Sequence, residues 1–298
     1  MSLPGRFLTV IRGWSLPLSI SSVTLGTTAA ATTQRGSAWL YLLVVFGVCL
    51  FHACANTFND YFDLKYGVDT PEAPTAIYRA HGVFAGLIAP KALFYLSIIL
   101  LTIALLIGAA LAILRTAYLW PLIILGLFLN LFYTALPGHA LKYTALGEPA
   151  VFLAFGPVIM EGSFAVQTGY LSWNVFLLSL PVGILVALVL FANNLRDREF
   201  DSCKKIKTLA TLLGPRAGMK TFIALAYLPY MITGAYVGMK ILDWPGLFVL
   251  FSLPTTVRTV RSFSQNIPVA ADAMASETAL SFNFFLLISL IINILIKI

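Results

Sequence analysis

The sequence is poor in charged residues and in cysteine. Only 10% of its 298 residues are Asp, Glu, Lys or Arg, whereas a soluble domain has roughly a quarter. This composition excludes a soluble two-domain enzyme, the usual expectation for this length, and also a fibrous or disordered chain. Three Cys residues are too few for disulfide bonds to hold a chain of 298 residues together. The chain is instead 59% hydrophobic, which is typical of a membrane protein.

The scarcity of charge leaves long uncharged segments. No Asp, Glu, Lys or Arg occurs in residues 13–34, 36–59, 92–114, 116–141, 162–195, 221–239 or 278–296. Most of these runs reach the length of about 20 residues that a helix needs to cross a bilayer. Because the apolar runs are continuous rather than alternating, they exclude a β-barrel.

These runs predict an all-α, polytopic membrane protein with nine transmembrane helices. The helices are expected at about 10–32, 38–58, 92–114, 117–136, 146–166, 172–194, 219–239, 244–262 and 278–297. Residues 1–298 are then a single transmembrane domain.

The basic residues predict the orientation of the chain. With the N-terminus in the cytoplasm, all but four of the 19 Lys and Arg residues fall in cytoplasmic segments, as the positive-inside rule requires. The net charge of +7 is therefore explained by topology, and no nucleic acid partner is expected. We expect an integral protein of the cell (plasma) membrane with its N-terminus and active site in the cytoplasm.

Two groups of carboxylate and amide side chains follow the second and sixth predicted helices. They are Asn59, Asp60, Asp63 and Asp69, and Asn193, Asp197 and Asp201. Helix residues four positions apart share a face. Asn59 and Asp63 therefore point together, whereas Asp60 lies off their face and is a weaker candidate ligand. Asn193, Asp197 and Asp201 form a continuous row.

Such rows of like charge indicate a bound cation. Carboxylate and amide oxygens without Cys or His suit Mg²⁺ or Ca²⁺. Mg²⁺ commonly binds one or two carboxylates together with a substrate phosphate, and cations beside both groups favour phosphate. The alternative for one such group is a solvated surface with weak ion pairs, but two related groups in matching positions disfavour it.

The offset of four helices between the two groups predicts an internal repeat. It places both groups on one membrane side, as in a parallel pseudo-repeat about the membrane normal. We expect two four-helix halves, at about 10–136 and 146–262, with a ninth helix at about 278–297. The site would form where the halves meet.

The two groups resemble the paired aspartate-rich motifs of the UbiA superfamily of intramembrane prenyltransferases. The stretches around Arg12, Tyr133, Lys142 and Lys207 are also similar. The likeness is greatest to the 1,4-dihydroxy-2-naphthoate (menaquinone) branch, because the first motif continues as Gly67-Val68-Asp69. An archaeal-type enzyme acting on a glyceryl phosphate ether stays possible.

The resemblance implies Mg²⁺-dependent transfer of a prenyl group from a polyprenyl diphosphate to a dihydroxynaphthoate-like acceptor, by ionisation to an allylic cation. It implies catalytic roles for Asp63, Asp197 and Asp201. Two Mg²⁺ ions would be held by Asn59, Asp63, Asp69, Asn193, Asp197 and Asp201, with Asp60 as a further ligand. Diphosphate would be bound by Lys65, Arg79, Lys204, Lys205 and Lys207, and the prenyl chain or acceptor by Arg12, Tyr133, Lys142, Tyr143 and Glu148.

Several alternatives are open at this point. The acceptor could be a lipid such as geranylgeranylglyceryl phosphate, or the chain could be a transporter for a divalent cation or a phosphorylated solute. Glu148 and Lys142 either orient the acceptor or form a structural ion pair. The polar connections at 64–90 and 202–218 are expected to close over the diphosphate. Partners are the two substrates and membrane lipid, and no obligate protein partner is predicted.

Overall fold

The structure, a computed structural model, describes residues 2–33, 36–136 and 140–297. These residues are helical, and their one β contact is an isolated bridge between Thr144 and Lys207. The α-helices are α1 Leu3–Val10, α2 Leu16–Ala31, α3 Ala38–Lys65, α4 Pro74–Tyr78, α5 Pro90–Leu114, α6 Leu119–Thr134, α7 Gly147–Leu153, α8 Ile159–Thr168, α9 Trp173–Cys203, α10 Leu209–Gly238, α11 Leu253–Gln265 and α12 Ala271–Lys297. Short 3₁₀ turns occupy Gly13–Ser15, Leu141–Tyr143 and Trp244–Ser252.

The prediction of an all-helical membrane protein is confirmed. Six helical segments in the described ranges are long and apolar enough to cross a bilayer: Ala38–Lys65, Pro90–Leu114, Gly147–Thr168, Trp173–Cys203, Leu209–Gly238 and Ala271–Ile296. Helix α6 is apolar but shorter. The first predicted helix, 10–32, is divided, because Arg12 adopts a left-handed conformation (φ 53°) between α1 and the turn before α2. The eighth, 244–262, is a 3₁₀ segment followed by α11.

The prediction of a long polar connection at 202–218 is wrong. Helix α9 continues to Cys203 and α10 already begins at Leu209, so only residues 204–208 connect them. The Thr208 side chain accepts a hydrogen bond from the Thr211 N–H (3.2 Å), which caps the new helix. Charged residues do not prevent a helix outside the apolar layer. The helix is interrupted at Gly214, whose φ of 70° is left-handed, before Pro215.

Close packing of small residues places α9 in the interior. A Cβ atom on Gly183 of α9 would lie 2.7 Å from the Phe152 carbonyl oxygen, and one on Gly156 would lie 2.8 Å from the Ser179 carbonyl oxygen. Gly156 belongs to a π turn, Ala154–Val158, that joins α7 to α8 and contains Pro157. Because proline lacks an N–H, a local widening of the helix here is expected. This packing leaves the C-terminal ends of α3 and α9 beside a common cavity.

Candidate functional site

A cavity of about 990 Å³ joins the two motifs to an apolar channel. Its polar end is lined by Asn59, Asp63, Asp69, Asn193, Asp197 and Asp201, and its apolar part by residues that include Val44, Leu111, Leu119 and Val166. Val44 and Asp63 both belong to α3, and their spacing corresponds to roughly 28 Å along the helix. The cavity therefore extends from one end of the helices almost to the other.

In the first motif, Asp63 is deeply buried and is neutralised by residues from another segment. Its side chain is 1% exposed. It accepts hydrogen bonds from Asn59 Nδ2 (3.0 Å), Lys142 Nζ and the Tyr143 hydroxyl. Lys142 Nζ also donates to Asn59 Oδ1 (3.0 Å). Asn59 and Asp63 thus share one face and one cation.

The short turn Leu141–Tyr143 brings Lys142 and Tyr143 to this position. The turn is held by a hydrogen bond from the Ala145 N–H to the Lys207 carbonyl oxygen (2.8 Å). Burial lowers the pKa of Lys142, but the surrounding acidic groups, Asp63 first and then Tyr143 and Asp69, together outweigh burial, so the net pKa lies above its usual value. Burial also raises the pKa of the Tyr143 hydroxyl. Both groups therefore keep their protons and act as donors to Asp63.

Asp60, Asp69 and His81 form a second cluster behind this face. Asp60 is buried and pairs with Arg12, and it does not line the cavity. His81 Nε2 lies 3.5 Å from Asp69 Oδ2 and 4.0 Å from Asp60 Oδ2. Burial raises the pKa of Asp69, but His81 and the charges of Lys142 and Arg12 outweigh it, so the net pKa is below its usual value. Asp69 therefore carries its charge in this environment.

In the second motif, Asp197 is bound by its neighbours. Arg196 Nε and Nη2 lie 2.7 and 2.9 Å from its carboxylate oxygens, and Thr75 of α4 donates to Oδ2 (3.0 Å). Asn193 Oδ1 is buried and has no hydrogen-bond partner among the residues that the structure describes. Asp201 accepts no side-chain hydrogen bond from the described residues. The groups of the protein therefore balance only part of the negative charge and hydrogen-bonding capacity of this motif.

The donor atoms at the polar end fit a hard divalent cation. They are carboxylate and amide oxygens, which Mg²⁺ prefers. Two buried acceptors accept no hydrogen bond within the described ranges: Asn193 Oδ1, and Asp69 Oδ2, whose neighbour His81 Nε2 is 3.5 Å away. Because buried polar atoms in native proteins are almost always satisfied, these atoms are suited to an additional positive ligand.

The structure brings one of the five predicted diphosphate ligands to the cavity. Arg79 lines it, whereas the four lysines do not. Lys65 Nζ lies 5.8 Å from the Phe62 ring centroid, and Lys204 Nζ donates to the Gly67 carbonyl oxygen (3.2 Å).

The other two lysines line a smaller cavity. Lys205 and Lys207, with Tyr143, border a volume of about 450 Å³. Neither lysine lines the main cavity, although Tyr143 and Ile206 border both cavities. The sequence showed that these lysines lie near the motifs but not which cavity they border.

Four of the five predicted prenyl or acceptor residues line the cavity: Arg12, Tyr133, Lys142 and Tyr143. Glu148 does not. Its Oε1 accepts a hydrogen bond from Asn194 Nδ2 (2.8 Å), so the alternative of a Glu148–Lys142 ion pair is wrong.

Three residues at the polar end were not identified from the sequence: Trp14, Thr75 and Asp272. Thr75 bridges α4 to Asp197, and Arg79 stacks on Trp14 with its guanidinium carbon 4.8 Å from the ring centroid. Asp272 pairs with Arg79 (2.7 Å). No local pattern marks these positions, since each joins the site through tertiary contacts.

Comparison with known proteins places this geometry in context. Residues 19–291 match the UbiA prenyltransferase family. The chain is 31% identical to 1,4-dihydroxy-2-naphthoate octaprenyltransferase of Bacillus subtilis (strain 168), over 95% of this chain and 91% of that protein. It is 32% identical to UbiA prenyltransferase domain-containing protein 1 of Xenopus tropicalis, over 76% of this chain but only 65% of that protein.

Solved structures show the same fold. A UbiA homolog from Archaeoglobus fulgidus bound to DMAPP and Mg²⁺ matches with a TM-score of 0.64 and 14% identity, over 95% of this chain and 99% of that one. A digeranylgeranylglyceryl phosphate synthase matches with a TM-score of 0.66 and 16% identity over 100% of both chains. At these identities the likeness concerns the fold alone.

Proposed function

The chain belongs to the UbiA prenyltransferase family and is an integral membrane enzyme that transfers prenyl groups, and from this premise we propose its substrates. We propose that it transfers the prenyl group of a polyprenyl diphosphate to a dihydroxynaphthoate-like aromatic acceptor, with Mg²⁺. The observation that carries the proposal is one cavity with both acidic motifs at its polar end and an apolar channel beyond them.

The acidic residues fit the metal. Asn59, Asp63 and Asp69 would hold one Mg²⁺ ion, and Asn193, Asp197 and Asp201 a second. Bound Mg²⁺ supplies Lewis-acid stabilisation of the departing diphosphate. The Mg²⁺-bound A. fulgidus homolog and the buried Asn193 Oδ1 atom, which accepts no hydrogen bond in the described ranges, support this assignment.

The remaining cavity residues have separate tasks in this proposal. Arg79 and Lys142 add positive charge where the diphosphate leaves, which stabilises the developing negative charge. The apolar channel binds the prenyl chain and excludes water, which would otherwise capture the allylic cation. The rings of Tyr133 and Tyr143 also line the cavity and can stabilise that cation through their π faces. Arg12 also lines the cavity, and its guanidinium can bind an acidic group of the acceptor.

The helices and the charge distribution also suggest how the chain crosses the membrane. We infer nine membrane passes in one domain, comprising two four-helix halves at about 10–136 and 146–262 and α12 as the ninth. The site and the N-terminus would face the cytoplasm of a plasma membrane protein. The positive-inside distribution supports this orientation. The presence of each motif at the C-terminal end of its helix, α3 or α9, supports a single site on one membrane side.

The acceptor has one serious alternative. A glyceryl phosphate lipid would use the same diphosphate chemistry, and the fold is also that of a digeranylgeranylglyceryl phosphate synthase. The 31% identity to the B. subtilis naphthoate enzyme favours the aromatic acceptor. Family membership favours prenyl transfer over the transporter considered above.

The test is release of diphosphate from geranylgeranyl diphosphate by purified protein in detergent. We expect release that requires Mg²⁺ and 1,4-dihydroxy-2-naphthoate, is abolished by EDTA, and is lost in Asp63→Ala and Asp197→Ala. The matched control is Glu199→Gln, because the Glu199 side chain lies on α9 but is 90% exposed. Release only with geranylgeranylglyceryl phosphate would assign the lipid acceptor. No release with either acceptor would refute the proposal.

A further inference from the structure

Asp272, in the first turn of α12, is a carboxylate shared by two arginines. It lies outside both motifs, lines the polar end of the cavity and is 14% exposed. Its Oδ2 is 2.7 Å from Arg79 Nη1, and its Oδ1 is 3.5 Å from Arg196 Nη1. A helix from the C-terminal part of the chain thus supplies an acid to a site built mainly from the two motifs.

Arg79 depends on this acid for its placement. It follows α4, in the long connection between α3 and α5. In the described part of the chain Asp272 is its one ion-pair partner. Its other contacts are with aromatic faces, with the guanidinium carbon 4.8 Å from the Trp14 ring centroid and 5.0 Å from that of Tyr78. Stacking fixes the plane of the guanidinium, and the carboxylate fixes its direction.

The second arginine is held mainly by other groups. Arg196 donates to Asp197 at 2.7 and 2.9 Å and to Thr75 Oγ1 at 2.6 Å. Its contact with Asp272 is longer, at 3.5 Å. Loss of the Asp272 carboxylate would therefore release Arg79 much more than Arg196.

We propose that Asp272 is a positioning residue that holds Arg79 against the polar end of the cavity for the diphosphate of the prenyl substrate. The ion pair with Asp272 is made through Nη1 of Arg79, and a guanidinium has five N–H donors, so others can serve an anionic substrate. Holding the side chain in advance removes part of the entropic cost of binding. This inference rests on the proposed function, because it assumes a diphosphate substrate.

The test is a double-mutant cycle with Asp272→Asn, Arg79→Gln and the double variant. For Asp272→Asn we expect KM for geranylgeranyl diphosphate to rise about five- to tenfold, the cost of ordering one long side chain. We expect kcat to fall by a smaller factor than KM rises, because Arg79 is displaced but keeps its charge. The double variant should have the same KM as Arg79→Gln, because Asp272 acts through Arg79. Asp272→Glu should recover part of the loss.

Binding and control measurements separate this inference from the proposed function. Affinity for inorganic diphosphate with Mg²⁺, measured by calorimetry, should fall in parallel with the rise in KM. Glu199→Gln is the control for loss of one negative charge. If wild-type protein shows no turnover, the proposed function fails, and the calorimetric cycle alone decides this inference. Unchanged KM and affinity in Asp272→Asn, or effects that multiply in the double variant, would overturn it.

Discussion

The two acidic motifs have similar sequences but different surroundings. At the end of α3, the Asp63 carboxylate is paired with Lys142 and that of Asp60 with Arg12, both cations from distant segments. At the end of α9, Asp197 is paired with the adjacent Arg196, and Asp201 accepts no side-chain hydrogen bond in the described ranges. The first motif is neutralised by the fold, whereas the second is only partly neutralised and by its own helix.

This difference indicates how each motif responds to an incoming cation. In the first, Mg²⁺ must share carboxylates with protein cations that were already placed there. In the second, Arg196 already pairs with Asp197, and Mg²⁺ would balance the charge of Asp201, which accepts no side-chain hydrogen bond in the described ranges. Loss of charge should therefore destabilise the metal-free protein at the first motif but not at Asp201.

The largest effect is expected for Lys142→Gln. It leaves Asp63 buried without its cation, and breaking a buried pair from one side costs about 3 kcal/mol or more. We expect a clear fall in the thermal unfolding midpoint in detergent, and a larger stabilisation by Mg²⁺ than in wild type. Lys91→Gln, at an exposed position on α5, is the control. An unchanged midpoint would contradict the pairing.

Arg12→Gln should have a somewhat smaller effect. Asp60 stays buried, but His81 Nε2 lies 4.0 Å away and can donate a hydrogen bond to it after a small movement. We expect a loss of about 2 kcal/mol, partly recovered in Arg12→Lys. Thermal unfolding of both variants measures this, and equal midpoints for Arg12→Gln and wild type would refute it.

The contrast between the motifs is tested directly by Asp63→Asn and Asp201→Asn. The first variant removes an acceptor of charged hydrogen bonds and should cost about 2 kcal/mol. The second removes a charge without such bonds and should change stability by less than about 0.5 kcal/mol, since no paired group is lost. Both should lose most diphosphate release. Equal destabilisation would show that the two motifs are compensated alike.

The smallest effect is expected for Thr75→Val. It removes the hydrogen bonds that join α4 to Asp197 and Arg196, worth about 1 kcal/mol. We expect a small fall in the unfolding midpoint and faster proteolysis of the connection containing α4. Thr102→Val, whose exposed hydroxyl bonds only within α5, is the control. Faster cleavage in both variants would contradict the role of Thr75 in holding α4.

Much of the fold could be predicted because its signal is local. Uncharged runs located the helices that become α3, α5, α9 and α12 to within several residues at most ends. The i, i+4 spacing correctly placed Asn59 with Asp63 on one face. The start of α10 could not be located from hydropathy, because the cap at Thr208 lies among charged residues outside the apolar run.

A helical membrane protein with two paired acidic motifs follows from the order of the residues alone, since hydropathy and helical period depend on neighbouring residues. Tertiary packing brings Lys142 to Asp63 and Asp272 to Arg79, and it places Lys205 and Lys207 beside the smaller cavity rather than the main one. These pairings depend on how helices distant in the chain pack together. A side chain's nearest charge is set by that packing, which no local pattern encodes.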